Sequence, residues 1–452
     1  MNLSLHDPQF ITADFPTTLT MTLSYGHSTA LEISPCGHYI ASGLLDGTLL
    51  IVDTWSNNIT CLLRKHTMPI IGVKWIYSED AVGNVVVGIV TWSRDWKVCI
   101  LGLHDKKFID VWENTFTGGI WNVDIVHTGI LVNGKWEGWE LVVCRVNNGV
   151  CFVKNGDILE CGRNGTEDDS HGSPICCVSF YGCKYVVCGT GRGWVEIVDA
   201  VSRKLVRSEK LCNGNVKGIQ IVEEMTFDSD TADKYAHNNV PVSRLIINAS
   251  DRILRQYDIS DWYNMPIEDW KFEIEQKYQD VVNRIQWNTV KFSPSGEYVC
   301  ASTQGGSGAA HDVYIWETSM GSLVQILEGS HEELIDVDWG TRSVNGNVCC
   351  IAANGMDSGT VYMWGVRPSQ KWSALAPDFE EIEQNIEYVE HEDEFDINVV
   401  EEHVENVEND DDFNVDVVGL DDRDARGFKF IKGCIIDLSL IHISEPTRPE
   451  PI

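Results

Sequence analysis

The chain holds 452 residues, 43% of them hydrophobic, and carries 68 Asp plus Glu against 34 Lys plus Arg, a formal charge of −34. That length and apolar content suffice for a large buried core. A net field so negative excludes binding to nucleic acid or anionic membrane by overall charge, because such binding rests on releasing counterions from phosphates to Lys and Arg.

The opening stretch, MNLSLHDPQFITADF, lacks the basic and then apolar pattern of a secretory leader. No apolar run approaches the roughly 20 residues that cross a bilayer, so no membrane contact is expected. Thr18 begins a strand, 18–23, that precedes the first complete copy of a repeat. That copy, residues 30–53, is a β-rich run, the turn Ser34-Pro35-Cys36-Gly37, the small residues Ile40-Ala41-Ser42, the turn Asp46-Gly47 and a second β-rich run.

Seven strands of the last kind recur, at 49–53, 97–101, 150–153, 194–199, 253–258, 313–316 and 361–364. With Val52, Ile100, Phe152, Val198, Tyr257, Trp316 and Trp364 as equivalent points, the spacings are 48, 52, 46, 59, 59 and 48. A period slightly above the usual 40 to 45 residues is what WD-type propeller blades give when their loops are enlarged. Seven copies suit a closed ring, with strand 18–23 supplying the missing outer strand of the last blade, so the ring is expected to span residues 1–366. Polar insertions at 157–172 and 227–239 are expected as surface loops.

Gly26-His27, Ser42 and Asp46 occupy the positions where such blades build a hydrogen-bonded His, Ser and Asp set, with Val52 in place of the usual Trp. His66 with Asp95, and His331 with Asp357, are read the same way, as blade histidines paired with turn aspartates and not as catalytic dyads. Gly189-Thr190-Gly191-Arg192-Gly193 precedes a strand, whereas a phosphate loop opens a helix, so it is a blade turn. Residues 305–308 form a similar turn. No serine elbow, HExxH or kinase set is present, and no doubled Cys or His pair has zinc-site spacing. The fifteen cysteines are odd in number and lie inside apolar runs, which marks buried thiols of an intracellular protein. The body is therefore read as all-β, a seven-bladed WD-repeat β-propeller without enzymatic activity or cofactor.

The acidity lies beyond it. Residues 378–424 hold 21 Asp plus Glu and the single basic Arg423, a charge of −20, which leaves −14 for the other 405 residues. A segment of that composition repels itself and cannot offset its chain entropy by apolar burial, so an extended acidic tail, 367–424, is expected. Tyr388, Phe395, Ile397, Phe413, Val415, Val417 and Val418 recur in it as apolar anchors for partners.

The tail also carries a resemblance. WSALAPDF at 372–379, then Asn385-Ile386-Glu387-Tyr388 and Glu392-Asp393-Glu394-Phe395-Asp396-Ile397, resembles the segment after the propeller in the retinoblastoma-binding WD-repeat family and its fungal counterpart, the Swd-one subunits of COMPASS complexes. NASDRILRQYD at 248–258, DVVN at 280–283 and residues 321–326 match that family within the propeller, and the likeness runs to about Leu420.

The resemblance implies a non-catalytic scaffold in the nucleus, within a complex that methylates lysine four of histone three, and three docking segments. Trp372, Ala376, Pro377, Asp378 and Phe379 match the segment that lies against the SET-domain methyltransferase subunit and stabilises its active arrangement. Glu387, Tyr388, Glu390, Glu392, Asp393, Glu394, Phe395 and Asp396 match the acidic motif for a SPRY-domain partner of the Ash-two-like or Bre-two kind. Val389 and His391 depart from its charged pattern. Val415, Asp416 and Val417 match a motif for a second WD-repeat propeller.

A WD-repeat substrate receptor of a ubiquitin ligase, or a generic assembly scaffold, would suit the propeller equally, but no F-box-like helix pair precedes Thr18. Lys97, Lys106, Lys107, Arg203, Lys204 and Arg207 are candidates for an exposed basic patch through which the ring would touch a nucleosome. Residues 425–437 remain unassigned. LSLIHISEPTR at 438–448 reads as a translated sequencing adapter, so 438–452 is set aside as non-native and the natural C-terminus is expected to differ after about Asp437.

Overall fold

The computed structural model describes residues 15–54, 56–79, 85–104, 106–132, 135–146, 149–161, 171–180, 184–222, 243–263, 265–280, 285–304, 311–340, 350–365 and 434–436. The ring portion folds as seven four-stranded antiparallel sheets. Their first strands are Ser28–Ile33, Ile70–Glu79, Ile120–Val132, Pro174–Phe180, Val216–Val222, Gln286–Phe292 and Leu334–Trp339. Each lies beside the first strand of the next sheet, and Leu334–Trp339 lies beside Ser28–Ile33, so the sheets close into a seven-bladed propeller.

Closure uses the N-terminus. Thr18–Leu23 pairs antiparallel with Val361–Gly365 as the outer strand of the seventh sheet, Thr18 opposite Gly365 and Leu23 opposite Val361. The expected 18–23 strand is thus present, and it covers an edge that would otherwise offer unpaired N–H and C=O groups to another chain.

Each sheet is packed on both faces, and the apolar pattern follows. Thr48–Asp53, Val313–Glu317 and Val361–Gly365 are buried at every position or all but the last, because a middle strand meets a neighbouring blade on either side. Outer strands such as Thr18–Leu23 alternate toward solvent. The core is divided into seven apolar clusters, one at each blade interface. Leu49, Ile51, Ile70 and Ile89 join the first and second blades, and Trp364, Leu334, Ile315 and Cys300 join the sixth and seventh. The buried Trp364 spends its indole N–H on Glu328 O at 3.0 Å, so a large apolar body is covered without an orphaned donor.

The described cysteines are all free thiols, most of them buried. The glycine run at 189–193 is a turn between Tyr185–Thr190 and Trp194–Asp199, with Gly193 at φ 82°, a left-handed conformation in which a side chain would also meet Cys212 O. In the fifth blade the segment between Leu254–Asp258 and Ile274–Tyr278 contains two short 3-10 turns carrying Trp262 and Trp270, stacked at 4.5 Å, and this insertion accounts for part of the long spacing before Trp316.

Several expectations need correction. Asp157–Glu160 is the outer strand of the third sheet, paired with Gly149–Lys154, so the 157–172 insertion is not a loop throughout. Its polar composition suits an outer strand with exposed faces. Ser42 Oγ donates to Ser28 Oγ at 2.7 Å and Asp46 Oδ1 accepts from Thr48 N–H at 3.0 Å, and neither bond involves the His27 ring. His331 is exposed, while its neighbour Glu332 accepts the Asp357 and Ser358 N–H groups at 2.7 Å each. Residues 227–239, 281–283, 305–308 and 438–452 lie outside the described residues.

Candidate functional site

The propeller's inner strands carry a belt of charge, buried at Asp124 and Asp338 and half-buried at Glu32, Lys74, Lys217, Lys291 and Asp336. Lys291 of the sixth blade pairs with Asp338 of the seventh at 3.1 Å, and Asp338 accepts Ile33 N–H of the first blade at 2.7 Å. Beside it Asp336 accepts Leu31 N–H at 3.3 Å. Glu32 of the first blade accepts Trp75 N–H of the second at 2.5 Å, and the Trp75 indole donates to Glu32 O at 3.1 Å. Lys74 of the second blade pairs with Asp124 of the third, and Asp124 accepts Ser179 N–H of the fourth at 2.6 Å.

Neutral and cationic donors continue the belt between the fifth, sixth and seventh blades. Lys217 Nζ donates to Trp287 O at 3.0 Å, and Asn288 Nδ2 donates to Leu334 O at 2.8 Å. Inner strands cannot hydrogen-bond to one another as sheet neighbours do, so these side chains stitch one blade to the next.

The belt sets unusual protonation. Burial raises the Glu32 carboxyl to about 8, with Lys291 and Lys74 opposing and Asp338 reinforcing. Burial likewise raises Asp336 to about 6, against the pull of Lys291. Lys74 is raised although burial disfavours its charge, because Asp124 and Glu32 face it.

Folding therefore binds a proton at Glu32 between the unfolded value of 4.5 and about pH 8. This group's contribution to stability is full below that unfolded value and is lost as pH rises through about 8. Urea unfolding at about pH 6 and about pH 8.5 is expected to show the wild type losing more stability over that interval than Glu32→Gln. Equal losses in both proteins would contradict the assignment.

His66 forms the hydrogen-bonded set that blade histidines make. Its Nδ1 is 3.1 Å from Asp95 and its Nε2 2.9 Å from Thr91 Oγ1, while Asp95 also accepts Thr67 and Lys97 N–H. Burial lowers the His66 pKa against the opposing pull of Asp95. Both ring nitrogens and the carboxylate are engaged in joining strands, as read from the sequence for this pair. Among the described residues no His, Cys, Asp and Glu side chains are grouped as a metal ion requires.

The basic candidates are not one open patch. Lys97 pairs with Glu113, Arg203 with Glu140 and Arg207 with Glu209, and these three cations are 23%, 29% and 25% exposed. Only Lys106, Lys107 and Lys204 of the six are exposed.

A scan against models of protein families finds no match. Individual relatives are clear. The Set1 complex component swd1 of Schizosaccharomyces pombe is 36% identical over 408 residues, 88% of this chain and 90% of that protein. The chain belongs to the Swd1 family. COMPASS component SWD1 of Saccharomyces cerevisiae is 36% identical over 88% of this chain and 87% of its own length. A retinoblastoma-binding protein 5 homologue of Caenorhabditis elegans is 29% identical over 85% of this chain and 76% of its own length. Among solved structures, the Cps50 (Swd1) beta-propeller domain of Myceliophteria thermophila superposes with a TM-score of 0.61 at 26% identity, covering 77% of this chain and 100% of that one.

In this Swd1-family chain all three tail motifs, 372–379, 387–396 and 415–417, lie outside the described residues. What sequence reasoning missed is the belt. Asp338 and Ile33 are 305 positions apart, and nothing local marks Glu32 or Asp336 as facing another blade. The available signal is a charge flanked by apolar residues in an inner strand, as Lys74 stands between Val73 and Trp75.

Proposed function

We propose that this chain is a non-catalytic scaffold subunit of a COMPASS-type complex that methylates lysine four of histone three in the nucleus, bridging and activating its SET-domain subunit. The observation that carries the reading is the extent of the match to the fission-yeast Set1 complex component. It covers 88% of the chain, more than residues 1–365 can supply, so the likeness continues past the ring. A substrate receptor sharing only the propeller would have no reason to match there.

In this reading the tail is the working surface and the ring its rigid base. Trp372 and Phe379 supply apolar anchors against the SET domain. Tyr388 and Phe395 do so for a SPRY-domain partner of the Bre-two kind, and Val415 and Val417 for a second propeller. Carboxylates around aromatic anchors offer charge-assisted bonds to Arg and Lys, and their field chiefly speeds encounter and rejects wrong partners.

The test of function is methyl transfer to a histone-three peptide. The chain alone is expected to transfer nothing, and adding it to the SET-domain and SPRY subunits is expected to raise their rate. Activity of the chain by itself, or no effect on the complex, would overturn the reading. Reversing the charges of Glu392, Asp393 and Glu394 is expected to slow association with the SPRY partner more than it speeds dissociation. Stopped-flow rates that do not vary with salt would argue against steering.

A further inference from the structure

Beyond the acidic segment, three residues lie on the ring. Ile436 is buried in the apolar cluster of the first and second blades, and its N–H donates to Tyr39 Oη at 3.1 Å. Cys434 packs against the same cluster, its thiol hydrogen-bonded to that of Cys36. Ile435 between them is 66% exposed. Alternate residues in and the middle one out is the pattern of an extended segment laid on an apolar surface.

Gly365, the last described residue of the seventh blade, lies close by. Gly365 pairs with Cys350, and Gly340 is wedged between Cys350 and Ile33, where a Cβ would come within 3.0 Å of Cys350 Sγ and 3.2 Å of Ile33. Ile33 ends the inner strand whose following turn holds Cys36. Gly365 and residues 434–436 therefore fall on neighbouring blades at the same end of their sheets.

We propose that residues 434–436 are a clasp that returns the chain to the first blade, and that Cys36 and Cys434 join as a disulfide when a peroxide oxidises them, fixing the clasp covalently. Two thiols in contact are what the bond needs, and the pair differs from the other cysteine contacts in access. Cys144 is hydrogen-bonded to Cys177 and Cys188, but all three are buried between the third and fourth blades. Cys434 is half-buried and open to a small oxidant.

The Cys36 thiol is pulled down to about 5, first by the Cys434 hydrogen bond and then, against burial, by Ser34 and the His38 N–H. Ser34 Oγ lies 3.3 Å from Cys36 Sγ. In the reaction the Cys36 thiolate attacks a peroxide that enters beside the half-buried Cys434, the O–O bond breaks, and a sulfenic acid and hydroxide result. The hydroxide takes the Cys434 proton to give water, the Cys434 sulfur attacks the Cys36 sulfur, the S–S bond forms, the S–O bond breaks, and hydroxide leaves. Peroxide takes both electrons. The bond would hold the acidic segment as a closed loop, at both ends, whichever partner it meets.

The test is mild hydrogen peroxide on the full folded chain, then alkylation, proteolysis and non-reducing mass spectrometry. A Cys36–Cys434 linked peptide is expected, abolished by dithiothreitol and absent from Cys36→Ser, with Cys144, Cys177 and Cys188 still reduced. Ile436→Asp, its folding checked by circular dichroism, is expected to cut the linked yield at least tenfold. Oxidation of Cys434 to sulfonic acid without linkage, equal yield in Ile436→Asp, or reduced Cys434 while the half-buried Cys161 is oxidised would each overturn the proposal.

Discussion

Lys291→Ala is expected to destabilise the propeller by about 3 kcal/mol, the low end of what removing one partner of a buried ion pair costs. Lys291 is 22% exposed and Asp338 10%, so the pair is covered but not sealed, which argues for the low end. The variant removes the cation that moderates Asp338 and Asp336 at the seventh-to-first blade seam and leaves Glu32 with Lys74 alone. Among the described residues, Asp338 then keeps the Ile33 N–H as its hydrogen-bond donor. Because Asp336 can take up a proton, the loss shrinks as pH falls below about 6. Adding Asp338→Asn restores part of it, since an amide still accepts the Ile33 N–H and needs no counter-charge. Urea unfolding of the single and double variants measures this coupling, and a loss below about 0.5 kcal/mol would mean that the belt does not hold the seam.

Phe395→Ala is expected to weaken the SPRY-domain partner by about 2 kcal/mol or more, roughly thirtyfold in Kd. Phe395 stands among Glu392, Asp393, Glu394 and Asp396, so burial of its ring is the main apolar gain available to that stretch. Val389 and His391 interrupt the charged pattern around Tyr388, so on the proposed reading the aromatic anchors are expected to carry more of the affinity. Calorimetry with the full chain reads the change. An unaltered Kd would show that the carboxylates alone carry the contact.

The ring was legible because a propeller repeats its unit. Most of the middle strands, such as Thr48–Asp53 and Val361–Gly365, are apolar on both faces, and that signature survives the replacement of Trp by Val52. The N-terminal closing strand followed from the count of strands, since a ring with three strands in its last blade leaves an edge open. Individual polar roles were less legible. His66 and Asp95 sit in the expected arrangement, whereas Ser42 bonds to Ser28 and Glu332 receives the turn expected of His331. A hydrogen-bonding position constrains donor and acceptor geometry more than residue type, so motif matching assigns the position and misses the occupant. The contacts of Asp336 and Asp338 with the first blade and the return at Ile436 join residues hundreds of positions apart and leave no periodicity in the chain.

The tail motifs rest on the family likeness, and the scaffold reading stands or falls with the company the full chain keeps. Affinity purification of the intact protein from its own cells, with mass spectrometry of stoichiometric partners, is the most direct measurement. The account predicts a SET-domain methyltransferase, a SPRY-domain protein and a second propeller in the eluate. Recovery of a cullin-type ligase and its adaptor, with no methyltransferase, would contradict it.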